Sequence, residues 1–200
     1  MRLSLACGLV AATLFPASVQ AQNNYVGAKT CARCHDSEAR GNMFHRWQAS
    51  GHARAYQTLV DHTEKEPRAC GDVRLFVVEV GKGTRYGLPA PAAESKECLP
   101  CHTTAFGADA QRLAAGFDAR EGVQCESCHG PGSAHVEAAT AGARDKRVGS
   151  LKRFGDPRSI REACSGCHEG GSPCGDFDFA TMWPKVRHAV AGGTTRGAGR

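Results

Sequence analysis

The sequence predicts a mainly α fold, with short helices, long loops and at most a small β hairpin. Three observations predict it. A five-residue pattern, C-x-x-C-H, occurs four times at irregular spacing, as "CARCH", "CLPCH", "CESCH" and "CSGCH". Large aromatic residues are scarce, with eight Phe, three Tyr and two Trp in 200 residues, while glycine is abundant at 24. Such a chain builds a poor side-chain core unaided, so other large apolar surfaces must fill its interior. Finally, the stretches that favour helix or strand are short and are punctuated by Gly and Pro.

Taken in order, residues 1–21, "MRLSLACGLVAATLFPASVQA", carry basic Arg2, an apolar run from Leu3 to Phe15, Pro16 and a small-x-small-like end at Val19-Gln20-Ala21. This pattern predicts a secretory signal cleaved after Ala21. The alternative is an uncleaved membrane anchor, but the run is shorter than the ~20 residues a spanning helix needs. Cys7 then has no mature role, and no later stretch is long enough to span. Residues 22–200 have the length of one domain. Helix is expected from Asp36 to Leu59, interrupted by Gly41 and Gly51. Residues 73–80, "VRLFVVEV", ended by "GKG", read as a short strand or hairpin arm. "AAGFDAREGV" leads into the third C-x-x-C-H, and residues 136–147 suit another short helix. The tail from about residue 190, "AGGTTRGAGR", has a disordered composition. The irregular motif spacing excludes a solenoid.

The four motifs place Cys31, Cys34 and His35; Cys98, Cys101 and His102; Cys125, Cys128 and His129; Cys164, Cys167 and His168. They use eight of the eleven cysteines. Paired cysteines also suit structural zinc, but a zinc site has no need of a histidine directly after the second cysteine. Covalent haem does need it, because the thiols bond the haem vinyl groups and the next residue becomes the proximal iron ligand. With nine histidines in the chain, four coincidental placements have odds of roughly a few in a million. The predicted fold therefore wraps short helices and loops around four covalently bound haem c groups. An exported chain agrees with this, since bacterial c-type haem is attached after translocation. After the leader, 24 Lys and Arg face 20 Asp and Glu, a surplus of four. Four ferric haems with ionised propionates roughly cancel that surplus, so the basic balance gives no reason to expect a nucleic-acid or membrane partner.

His45, His52, His62, His135 and His188 remain for the opposite faces of the irons, and Met43 and Met182 read as packing residues. Many histidines and few methionines imply bis-histidine ligation and low potentials. His135 follows His129 across Gly-Pro-Gly, a turn that folds the chain back. It should therefore reach a different haem from that of His129, the alternative being a surface histidine. His45 precedes His52 by seven residues, so the two share a helix face if Gly51 does not break the helix. Cys70 and Cys174 are an even pair in an oxidising compartment, a disulfide or two buried thiols. No hydrolytic triad or phosphate loop is present.

The stretches "YVGAKTCARCH", "WQASGHARAYQTL", "CLPCHTTAFG", "GVQCESCHGPGSAH" and "CSGCH", with a looser "FDFATMWPKVRH", follow one another through most of the chain. In these the chain resembles the tetrahaem cytochrome c-554 family, which carries electrons from hydroxylamine oxidoreductase in ammonia-oxidising bacteria. The resemblance implies that His52 ligates the haem of His129, His135 that of His35, and His188 that of His168. It implies an open, five-coordinate haem at His102, where Thr103, Thr104 and Phe106 would furnish a small pocket, unless His45 or His62 closes the site. The chain is shorter than the family between the fourth motif and His188, and it adds Cys70 and Cys174. The implied function is a periplasmic electron carrier between redox proteins, with a hydroxylamine oxidoreductase-like donor and a membrane or soluble cytochrome acceptor. The alternatives are a small reductase, of nitric oxide for example, at the open haem, or an electron-delivery subunit of a membrane complex.

Overall fold

The computed structural model of the chain describes residues 22–64, 77–80, 83–86, 91–143, 151–154, 156–168 and 177–188. The leader with Cys7, the segment 73–76, Cys70, Cys174 and the tail from about 190 lie outside the described residues.

The helices are α1 (Ala28–His35), α2 (Met43–Gln48), α3 (Ala55–Glu64), α4 (Leu99–His102), α5 (Cys125–His129), α6 (Ser133–Thr140), α7 (Pro157–His168) and α8 (Phe179–Val186). Between α3 and α4 lies an antiparallel hairpin, β1 (Val77–Val80) with β2 (Gly83–Tyr86), in the register Val77 to Tyr86 and Val80 to Gly83. The mainly α class with a small hairpin is thus the observed one.

All four C-x-x-C-H motifs end a helix, with the histidine as its last residue. Sequence patterning assigned no helix to them, yet helical spacing suits the chemistry. Residues three apart share one helix face, so both thiols point the same way and the histidine follows beside them.

The expected helix from Asp36 to Leu59 is broken into pieces. A 3-10 turn at Glu38–Arg40 stops at Gly41, φ 89°, and Asn42, φ 50°, precedes α2. Helix α2 stops at Gln48, and a second 3-10 turn, His52–Arg54, leads into α3. His45 and His52 consequently occupy different elements rather than one helix face. The short helix expected at 136–147 starts earlier, at Ser133, and ends at Thr140. Its start is fixed from outside, since the Ser133 N–H donates to the Asn24 carbonyl at 3.0 Å.

Among the described residues the buried apolar side chains are only Ala28, Leu59, Ala92 and Ala138, while Ser95, Thr103, Thr104, Gln124 and Glu126 are buried as well. This interior is small and polar, and the side chains of Glu126, Gln124 and Thr104 are hydrogen-bonded, as burial demands. The Glu126 carboxylate, 4% exposed, accepts from the N–H groups of Val26 at 2.9 Å, Gly27 at 2.8 Å and Gly132 at 2.7 Å. Gln124 accepts from the Ala28 N–H at 2.6 Å and donates to the Asp118 carbonyl at 2.8 Å. Asn23 donates to the Pro131 carbonyl and accepts from Ser133 Oγ and the Ala134 N–H, both at 2.9 Å. Tyr25 forms a parallel bridge to Leu113, giving and receiving 2.8 Å bonds with Arg112 and Ala114. The N-terminal strap is thereby stitched to both ends of α5, and the motifs of α1 and α5 come together.

Candidate functional site

The rings of three of the four motif histidines meet histidines from outside the motifs. His35 faces His135, with ring centroids 6.2 Å apart. His52 faces His168 at 6.1 Å, and His129 faces His188 at 6.0 Å. Two imidazoles bound to one iron from opposite sides, at about 2 Å each, hold their centroids about 6 Å apart. The donor set therefore fits haem iron.

Two of these partnerships differ from those the resemblance implied. The structure brings His52 to His168, not to His129, and His188 to His129, not to His168. Long-range bonds fix the backbone behind each ring. The His52 carbonyl accepts from the Val123 N–H at 2.9 Å, and the Trp47 indole N–H donates to the Val123 carbonyl at 2.7 Å. His129 is held instead against the segment 151–154. Its Nδ1 lies 2.8 Å from the Lys152 carbonyl, the Lys152 N–H donates to the His129 carbonyl at 2.8 Å, and Phe154 stands 5.6 Å from its ring.

His135 reaches His35 because α5 ends at Gly130, φ 80°, and α6 restarts after Gly132. The chain is turned away from the ring of His129 and towards α1.

The motif histidines differ on the Nδ1 side. A carbonyl only accepts, so the Nδ1 of His102, 2.8 Å from the Ala55 carbonyl, carries the proton and leaves Nε2 for a metal. The same reasoning applies to His129 and Lys152. The Nδ1 of His35 is buried without a hydrogen-bond partner. Burial lowers the pKa of His35, His52 and His168, and nearby histidine charge lowers it further. The rings are thus held neutral, the form that binds metal.

No described side chain sets a second imidazole against His102. His45 is exposed on α2, its ring 5.9 Å from that of Phe44, and the His62 side chain lies outside the described residues. Of the three residues expected to furnish a small pocket at His102, the two threonines are buried with their hydroxyls bonded to backbone carbonyls. Thr103 Oγ1 donates to the Leu99 carbonyl at 2.7 Å. Thr104 Oγ1 donates to the Gly122 carbonyl at 3.0 Å and accepts from the Gln124 N–H at 2.7 Å. Phe106 is 45% exposed. The threonines tie loops together.

The thiols give the order of the motifs. Cys31 of the first shares a hydrogen bond with Cys125 of the third, which raises the Cys31 pKa and lowers that of Cys125. Cys128 of the third is raised by burial and then by the nearby thiol of Cys164. Cys167 of the fourth is pushed up to about 11 by burial and by a hydrogen bond with Cys101 of the second. In space the motifs therefore run first, third, fourth, second. The histidines agree, since His35 feels the charge of His129, and His168 that of His102. Among the described residues no group of three or more His, Cys, Asp or Glu side chains converges on one point, as a four-cysteine zinc site requires.

Patterning singled out the ligand types but missed the residues that hold them: Glu126, Gln124, Trp47 and Gly122. A carboxylate between the two cysteines of "CESCH", followed by a glycine-rich turn, was the available sign of Glu126.

The family described as "Cytochrome c554 and c-prime" matches residues 30–130. Cytochrome c-554 of Nitrosomonas europaea is 29% identical over 188 residues, covering 86% of this chain and 72% of the relative. No solved structure matches the chain. Among the described residues no helix is long and apolar enough to cross a membrane.

Proposed function

We propose, from the premise that the chain belongs to the cytochrome c554 and c-prime family, that it is a periplasmic tetrahaem electron carrier. As a member of that family it is a c-type cytochrome, an electron carrier with covalently bound haem c and redox-protein partners. The finer reading gives one haem to each C-x-x-C-H, eight thioether bonds from the eight motif cysteines, and export by residues 1–21, cleaved after Ala21. Its donor is of the hydroxylamine oxidoreductase type and its acceptor a membrane or soluble cytochrome, placing the chain in nitrification.

The observation that carries this reading is the set of three facing histidine pairs, each joining one motif histidine to one from outside the motifs. In it His35, His102, His129 and His168 are proximal ligands, and His135, His52 and His188 stand opposite. Bound haem supplies reversible one-electron chemistry at the iron. The protein's residues hold the rings of His35, His52 and His168 neutral, fix two Nδ1 protons on carbonyls and set the motifs in a continuous series from the first to the second.

Mass spectrometry of the exported protein tests the reading. We expect the chain from Gln22 plus four haem masses, with three low-spin irons and one high-spin iron by electron paramagnetic resonance. A chain carrying zinc and no haem would overturn it.

A second reading, a small reductase at the His102 haem, is favoured by the lack of a facing imidazole there among the described side chains. One nitrosyl per reduced chain, with catalytic consumption of nitric oxide, would support it. Four low-spin irons that all refuse nitric oxide would remove its active site.

A further inference from the structure

Gly122 ends the 3-10 turn Ala119–Glu121 and has φ 82°, a left-handed conformation that costs a residue with a Cβ. It is also buried against the turn that presents His52. A Cβ built on Gly122 stands 2.4 Å from the His52 carbonyl oxygen and 3.2 Å from the carbonyl carbon and oxygen of Ala53. All three are backbone atoms, so no side chain can swing aside. The neighbouring bonds hold the approach from both ends. The Val123 N–H donates to the His52 carbonyl at 2.9 Å, the Trp47 indole N–H holds the Val123 carbonyl at 2.7 Å, and Thr104 Oγ1 holds the Gly122 carbonyl at 3.0 Å. The ring supported by that carbonyl is the one facing His168.

We propose that Gly122 is a positioning residue for the distal ligand of the fourth motif. Its missing side chain lets the strap Gly122-Val123 seat directly on the His52 backbone, and that seating sets the reach of the imidazole towards the iron of His168. The proposal rests on the reading of His52 as an iron ligand. The magnitudes decide the direction. Restoring ordinary contact to an added Cβ requires a retreat of about 1 Å, while a metal–ligand bond tolerates about 0.2 Å. A methyl group at residue 122 should therefore detach His52 before it disturbs the facing proximal ligand His168, which lies on α7. Because Thr104 follows the second motif by two residues and Gln124 precedes the third by one, this seat joins three motifs at a single strap.

The test uses the full, haem-loaded chain. Gly122→Ala should retain four haem masses and show one more high-spin ferric iron than the native protein, with one more carbon monoxide bound per reduced chain. His52→Ala should give the same signature. Gly116→Ala is the control for backbone strain alone, because Gly116 has φ 86° but nothing within 4 Å of its added Cβ; it should keep the native spin count. Four haems with an unchanged spin count in Gly122→Ala would overturn the proposal, and so would the same new high-spin iron in Gly116→Ala. If Gly122→Ala does not fold, Trp47→Phe, which removes the hydrogen bond to Val123, decides. More high-spin iron at the same site supports the seat, and a native spectrum rejects it. Failure of the underlying reading looks different: the native protein lacks haem, or His52→Ala leaves every iron low-spin.

Discussion

Residues 22–35 and 104–143 are joined through buried polar atoms, whereas α7 and α8 bury none of their residues. In the first region Glu126, Gln124, Thr104 and Asn23 bind backbone groups up to 111 residues away in sequence. In the second, the described ties to the rest of the molecule run through ligand histidines and the motif thiols Cys164 and Cys167. His168 faces His52, and His188 faces His129. Phe177 stacks on His168 with centroids 4.4 Å apart, and Arg161 lies over Phe179 at 4.7 Å. The matched family segment, 30–130, falls on the hydrogen-bonded side. The difference teaches that one protein can use two sources of order: a polar scaffold that specifies itself, and an annex whose position depends on what its histidines hold.

Withholding haem should separate the two most. In apoprotein made where haem is not attached, hydrogen exchange in α7 and α8 should be almost unprotected. Amides of Val26, Gly27 and Gly132 should retain protection on the order of 100-fold. Equal protection in both regions would break the comparison.

Next in size is Glu126→Ala in the loaded protein. It strands three N–H donors in a buried site, with an expected loss of about 4 kcal/mol in denaturant unfolding, from about 1 to 3 kcal/mol for each unsatisfied group. A loss below about 1 kcal/mol would show that haem, rather than the polar scaffold, holds the first region too. Smallest is Arg161→Ala. Its contact with Phe179 is exposed, so the expected cost is under about 1 kcal/mol. A cost well above that would mean that α7 and α8 hold each other without the histidines.

The sequence by itself determined the ligand chemistry. Four C-x-x-C-H motifs, five further histidines and a shortage of large apolar residues were enough for covalent haem as the expected cofactor and for a mainly α chain with little core of its own. These are local or compositional facts, and local spacing carries them. Helix breaks at Gly41 and Gly51 were also visible, although not that they would split the segment into four short elements. Which histidine meets which motif was decided only in the tertiary structure. Trp47 and the Gly122-Val123 strap fix the turn whose ring faces His168, and Lys152 holds the Nδ1 side of the ring that faces His188. Those contacts join residues tens of positions apart, and spacing along the chain places no constraint on them. A histidine is recognisable as a ligand from its chemistry, but its partner is selected by the backbone atoms packed behind it.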